Sequence, residues 1–173
     1  VSLIACSNVI QSNFQVAFMA PTEILATQHY NLAKKIFGSD IKIKILTGKT
    51  GFKDRKILLK DLKEGEIDLL IGTHALFQDK IKFNNLGLII IDEQHKFGVK
   101  QRKRLSDKAG KNCDVLVMSA TPIPRTMIMT IYGDMDTSII KSKPKNRKEI
   151  KTYSKNEKNI SDIIEFVNKQ IKD

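Results

Sequence analysis

Residues 86 to 95 read Leu-Gly-Leu-Ile-Ile-Ile-Asp-Glu-Gln-His. Five of the first six are large and apolar, and three of those are β-branched isoleucines. An unalternated run of this kind, bounded by Asn84-Asn85 before it and polar residues after it, predicts a strand buried on both faces. The run stops at two adjacent carboxylates. Ionised carboxylates at a core boundary cost free energy unless they are paired, solvated or bound to a cation. In an open α/β sheet the carboxyl ends of the strands are where ligands bind. Asp92 suits a magnesium ion held through its water shell. Glu93 suits polarising a water for attack on a phosphoryl group. The plainer alternative is a buried strand whose polar residues simply enter a loop.

The rest of the composition narrows the class. A length of 173 residues suits one domain with room for a short appendage, and a hydrophobic fraction of 41% is enough for a core. No stretch approaches the roughly 20 apolar residues of a membrane span, so a membrane partner is not expected. Val1 to Ile10 is apolar but has neither a basic leader nor a small-residue cleavage site. A chain that starts at Val1 is expected to be a piece of something longer. Cys6 and Cys113 are too far apart in sequence to suggest a disulfide framework or a zinc cluster. Both read as reduced core or near-core residues of a cytoplasmic protein. The formal charge is +11, and residues 41–63 carry eight Lys/Arg against two Asp, a net +6. Such a block attracts polyanions by releasing their counterions. A lysine-rich chain with solvated helix faces would carry the same charge.

Around the central stretch the chain alternates. Val1 to Gln11 reads as a helix, and Gln15 to Ala20 as a buried strand. Thr22 is placed to cap a helix through about Phe37, which Gly38-Ser39 stops. Ile41 to Leu46 alternates Ile and Lys, as an edge strand does. A basic amphipathic helix over Phe52 to Lys63 and a buried strand over Ile67 to Ile71 follow. Beyond Asp92 a helix is expected from about Lys100 to Ala109, a strand over Asp114 to Met118, and a short helix over Arg125 to Tyr132. Alternation of this kind implies βα units, a mostly parallel sheet and right-handed crossovers. Pro21-Thr22, Gly72-Thr73-His74, Asp92-Glu93 and Ser119-Ala120-Thr121 would then share one rim. Lys141 to Lys151 is basic, contains Pro144 and reads as a linker. Residues 155–173 place Ile160, Ile163, Ile164, Val167 and Ile171 at helical spacing. The expected division is therefore 1–144 and 145–173.

Two motifs need weighing. Gly48-Lys49-Thr50 resembles the end of a phosphate loop, but that motif needs a glycine five residues before the Gly-Lys pair. The residue there is Ile43, inside an expected strand, so the tripeptide is a decoy. Ser119-Ala120-Thr121 offers two hydroxyls at a strand end, suited to bonding a neighbouring carboxylate or to relaying a change in phosphate state. A Ser/Thr turn capping the next helix is the plainer alternative. Of the histidines, His29 falls mid-helix and reads as structural, whereas His74 and His95 follow strand ends. No other His or Cys lies near them at ligand spacing, so a transition metal is not expected.

These residues, in this order, resemble the first motor lobe of superfamily 2 helicases and translocases. Ala20-Pro21-Thr22-Glu23 is similar to motif Ia, and Leu46-Thr47-Gly48 with Gly72-Thr73-His74 to the motif Ib region. Asp92-Glu93-Gln94-His95 is similar to motif II, the Walker B box, and Ser119-Ala120-Thr121 to motif III. Longer strings narrow the likeness to a branch of the superfamily that remodels branched DNA. These are residues 92–102, 119–126 and 132–138. Ala-Thr-Pro-Ile-Pro-Arg-Thr at 120 to 126 is shared with translocases of transcription-coupled repair, whereas Gln94, Gln101-Arg102 and Tyr132-Gly133-Asp134 favour the branched-DNA enzymes.

The resemblance, which covers residues 1 to 151, implies a RecA-like P-loop NTPase fold with ATP and Mg2+ as cofactors. It implies that Asp92 coordinates the magnesium through water and that Glu93 orients the attacking water. Gln94 and His95 would link nucleotide state to Ser119, Ala120 and Thr121. Pro21, Thr22, Thr47, Gly48, Gly72, Thr73 and His74 would face the DNA backbone, contacts that position a motor without reading sequence. The phosphate-binding loop would lie immediately before Val1, and the second lobe and the wedge that recognises branched DNA would also fall outside these residues. The expectation is a chain, monomeric and cytoplasmic, that folds but hydrolyses ATP negligibly without those parts. The alternatives are a duplex translocase of transcription-coupled repair and a catalytically inactive nucleic-acid-binding module.

Overall fold

The computed structural model describes residues 1–93, 113–120, 136–140, 142, 152 and 160–172. Its centre is a five-stranded, wholly parallel sheet in the order β2-β3-β1-β4-β5. The strands are β1 (Gln15–Met19), β2 (Ile43–Leu46), β3 (Leu69–Gly72), β4 (Leu86–Asp92) and β5 (Asp114–Met118). The helices are α1 (Ser2–Gln11), α2 (Glu23–Phe37), α3 (Phe52–Glu64) and α4 (Ile160–Lys172), with a 3-10 turn over His74–Phe77. The expected helices at 100–109 and 125–132 lie outside the described residues.

Burial on both faces explains the unalternated runs. All five residues of β1 are buried, and so are five of the seven in β4. Side chains then divide by parity. Ala17, Met19, Leu70, Ile89 and Ile91 pack with Leu58 and Leu62 of α3 on one face. Val16, Phe18, Ile71, Leu88 and Ile90 pack with Cys6 of α1 and with Ala26 and Ala33 of α2 on the other. The alternating β2 is an edge strand, with Ile43 and Leu46 buried and Lys44 exposed. The exposed Lys44 is the kind of charge that discourages an edge strand from pairing with another chain.

Helix ends follow local chemistry. Thr22 is the N-cap of α2, its Oγ1 accepting from the Leu25 amide at 3.3 Å. Helix α3 stops at Gly65, which takes the left-handed conformation (φ +82°) that glycine alone adopts without cost. The sheet's amino-terminal end is tied by Gln15. Its Nε2 donates to the carbonyls of Leu62 (3.0 Å) and Ile67 (2.7 Å), and its Oε1 accepts from the amides of Asn84 (2.7 Å) and Asn85 (3.0 Å).

The chain divides into two compact units, Val1–Ile131 and Tyr132–Asp173. Among the described residues no helix is long and apolar enough to cross a membrane. Cys6 is buried, Cys113 is half-buried, and both are free thiols.

Candidate functional site

Register fixes the rim. Leu46 pairs with Gly72, Met19 with both Gly72 and Ile91, and Asp92 with Met118. The carboxyl ends of all five strands therefore face the same way. The residues that follow each of them (Pro21-Thr22, Thr47-Gly48, Thr73-His74, Glu93 and Ser119-Ala120) lie along one edge of the sheet. Gln94, His95 and Thr121 lie outside the described residues.

On this edge, at the end of β4 beside the central β1, stands Asp92. Its side chain is 17% exposed, and its Oδ2 lies 2.9 Å from Nε2 of His29 in α2. The His29 ring in turn rests on Phe18 of β1, with ring centroids 4.5 Å apart and planes inclined at 40°. A carboxylate oxygen can only accept, so Nε2 carries the shared hydrogen. Sequence reading had assigned His29 a structural role alone. The available signal was its place on α2's inward stripe, three residues after buried Ala26 and four before buried Ala33. That stripe shows a histidine turned towards the sheet but not which strand end it meets.

Glu93 is half-buried and adopts φ +48°. A non-glycine residue in the left-handed region costs on the order of 1 kcal/mol. Such conformations persist where the surroundings hold them, and they cluster at working sites. The turn leaves Asp92 in the last strand position and takes the chain off the sheet at the next residue.

Other expected residues separate by burial. Thr22, Gly48 and His74 are exposed, and Pro21 and Thr47 are half-buried. Gly72 and Thr73 depart from the expectation of a surface-facing pair. Gly72 is wedged between β2 and the 3-10 turn, where an added Cβ would collide with the Leu46 carbonyl oxygen and crowd Leu76. Thr73 is only 2% exposed, and its hydroxyl has no hydrogen-bond partner among the described residues. Close strand packing, rather than reach towards solvent, explains the glycine.

The Gly48-Lys49-Thr50 decoy is closed on itself. The Thr47 amide donates to Thr50 Oγ1, the Lys49 amide to Thr47 Oγ1 and the Thr50 amide to the Thr47 carbonyl. Amides spent inside a turn cannot cradle a phosphate. The Lys49 ammonium lies 3.2 Å from Glu23 Oε2 at the start of α2. Between α2 and this turn runs an open groove lined by Glu23, Ile24, Thr27, Gln28, Thr47 and Lys49.

No group of three or more His, Cys, Asp or Glu side chains among the described residues could cage a metal ion. Magnesium does not ask for one. It keeps several waters and takes one or two carboxylates together with substrate phosphates. The adjacent oxygen donors of Asp92 and Glu93, at an edge open to a ligand, fit that cation and do not fit zinc.

Comparison with known proteins agrees with this arrangement. The DEAD/DEAH box helicase family model matches residues 1–130. The ATP-dependent DNA helicase RecG of Bacillus subtilis is 48% identical over 173 residues, covering 99% of this chain and 25% of the relative. The Thermotoga maritima RecG is 45% identical over 172 residues, with 99% and 22% covered. The chain thus spans about a quarter of the length of the curated relatives it matches. The structure of RecG bound to a three-way DNA junction aligns with a TM-score of 0.80 at 41% identity, over 98% of this chain and 23% of that one. The DNA-bound DUF1998 helicase MrfA shares the fold, with a TM-score of 0.57 at 17% identity over 77% of this chain and 19% of that one. The parallel sheet with flanking helices is the RecA-like architecture of these helicase domains.

Proposed function

Because the chain belongs to the DEAD/DEAH box helicase family, we propose that it is the first motor lobe of an ATP-dependent DNA helicase of the RecG type. Such an enzyme remodels branched DNA, the structures of stalled forks and Holliday junctions. The observation that carries this reading is Asp92-Glu93 at the end of the buried β4, on the edge shared with Pro21-Thr22 and Ser119. The similarity to RecG along 99% of the chain supports the branched-DNA assignment over the coupling-factor and inactive-module alternatives.

Magnesium would supply charge neutralisation of the ATP phosphates, as it does in nucleotide hydrolases generally. Asp92 would hold it through water, and Glu93 would orient the attacking water and accept its proton. Ser119, Ala120 and Thr121, with Gln94 and His95, would carry nucleotide state towards the DNA side. Pro21, Thr22, Thr47, Gly48 and His74 would meet the DNA backbone, with the Gly72-Thr73 pair supporting them from within. Residues 1–144 would form the lobe, and residues 145–173 a linker and the start of the next. The enzyme would be monomeric and cytoplasmic. Without a phosphate loop, residues 1–173 alone would hydrolyse ATP negligibly.

The test is the ATPase rate of the full-length protein on a three- or four-way DNA junction and on linear duplex of equal length. Strong preference for the junction is expected. Equal stimulation by linear duplex would favour a transcription-coupled repair translocase, and no stimulation by either would leave a binding module.

A further inference from the structure

Among the described residues, the rim carries a contact that the helicase motifs do not account for, that between His29 and Asp92. We propose that His29 is a positioning residue for Asp92, holding one carboxylate oxygen so that the other is presented to the hydration shell of a nucleotide-bound divalent cation. The inference deepens the functional reading above and rests on it.

Three observations carry it. First, the contact is made by Oδ2, with Nε2 at 2.9 Å, which leaves Oδ1 outside that hydrogen bond. A carboxylate with both oxygens unrestrained rotates about χ2, a broad torsion with weak intrinsic preference. Fixing one oxygen removes that freedom before the cation arrives. Second, the ring itself is held. It lies tilted against Phe18, a fully buried residue of β1, and its side chain is 24% exposed. A donor on a flexible side chain would lose entropy in making the bond, whereas this ring has little left to lose. Third, the scaffold is stiff. Phe18 pairs with Ile90 in β4, two residues before Asp92, so the ring's support and the carboxylate's strand belong to one parallel ladder. Groups that orient metal-binding side chains in this way are worth roughly 10- to 100-fold in metal affinity.

The contact also joins distant parts of the chain. His29 sits on α2 about two turns beyond the cap Thr22, on the same side of the helix. It reaches a strand end 63 residues later. A purely structural histidine on this face would need only Phe18. The carboxylate contact gives it a second role at the site's centre.

The experiment uses the full-length helicase and reads Mn2+ binding in the presence of ADP by electron paramagnetic resonance, with thermal melting alongside. Wild type is compared with Asp92→Asn, His29→Phe and His29→Gln. Phenylalanine keeps a ring against Phe18 but removes the N–H, and glutamine returns an N–H at similar reach. His29→Phe should weaken Mn2+ binding at least about tenfold with little change in melting temperature. His29→Gln should recover to within a few-fold of wild type. Unchanged Mn2+ affinity in His29→Phe, equal loss in both His29 variants, or a loss that tracks a fall in melting temperature would overturn the proposal. Failure of both His29 variants to fold would overturn it too, since the contact would then serve the fold. If Asp92→Asn binds Mn2+ as wild type does, the assignment of Asp92 itself fails. If Asp92→Asn loses binding and His29→Phe does not, only the role of His29 falls.

Discussion

Gln15 Nε2 donates to the Ile67 carbonyl at 2.7 Å across 52 residues of chain, joining the first residue of β1 to the segment that enters β3. The same amide also serves Leu62, Asn84 and Asn85. A side chain that is 5% exposed thus satisfies four backbone groups at the sheet's amino-terminal end. Replacing it by leucine keeps the volume and strands those groups. A buried unsatisfied group costs about 1–3 kcal/mol, and some of the four would regain water. Gln15→Leu is therefore expected to lose about 3 kcal/mol of stability, read as a lower urea midpoint at unchanged slope. A loss under about 0.5 kcal/mol would show that water replaces the amide.

Gly72 is packed directly against backbone. A Cβ there would overlap the Leu46 carbonyl oxygen and stand 3.1 Å from Leu76 Cγ. Leu46 is Gly72's partner in the β2–β3 ladder, so the carbonyl cannot withdraw without breaking the pairing. Gly72→Ala should cost about 3 kcal/mol by overpacking. Gly48→Ala is the control. Its Cβ would meet only the Glu23 carboxylate at 3.2 Å, a flexible group that can turn aside. Chemical denaturation of the two variants should separate them clearly.

Glu93→Gln removes the negative oxygen proposed to activate water and keeps the side chain's shape. In the full-length protein the ATPase rate should fall at least about 100-fold, the lower bound for losing a general base. Affinity for a DNA junction, measured by fluorescence anisotropy, should stay within a few-fold of wild type, because the residues proposed to meet DNA lie elsewhere on the rim. Retained ATPase would remove Glu93 from the mechanism.

The two thiols should be slow to react. Burial pushes Cys6 up to about 12, and burial followed by the nearby Asp114 charge pushes Cys113 up to about 11. Reactivity follows the thiolate, so iodoacetamide at pH 8 should modify folded protein far more slowly than urea-unfolded protein. The sign for stability follows by linkage. The folded state keeps these protons to higher pH than the unfolded chain, whose thiols titrate near 9. The contribution is whole below about pH 9 and is lost as pH rises towards 11 and 12. A midpoint that rises between pH 9 and 11 in a Cys-only comparison would contradict the burial of Cys6.

Much of the architecture was legible in the chain alone. The isoleucine run of β4, the Ile/Lys alternation of β2, the Thr22 cap and the Gly38-Ser39 stop are local patterns. Each depends on periodicity or on a residue's own backbone preference, which neighbours in sequence suffice to express. The same holds for Asp92-Glu93, since adjacent carboxylates closing a buried strand are anomalous wherever they occur. The decoy status of Gly48-Lys49-Thr50 was also readable, from Ile43 standing where a phosphate loop needs glycine, and the turn's internal hydrogen bonds agree.

What tertiary structure decided was partnership. The order β2-β3-β1-β4-β5 sets strands side by side that are not successive in sequence, and only that order brings His29 to Asp92 and Gln15 to Ile67. It also buried Gly72 and Thr73, residues that the resemblance implies face the DNA backbone. Periodicity tells which side of an element faces the core. It does not tell which other element is waiting there, because the energy of a long-range pair depends on where the whole chain closes, and no local window contains that sum.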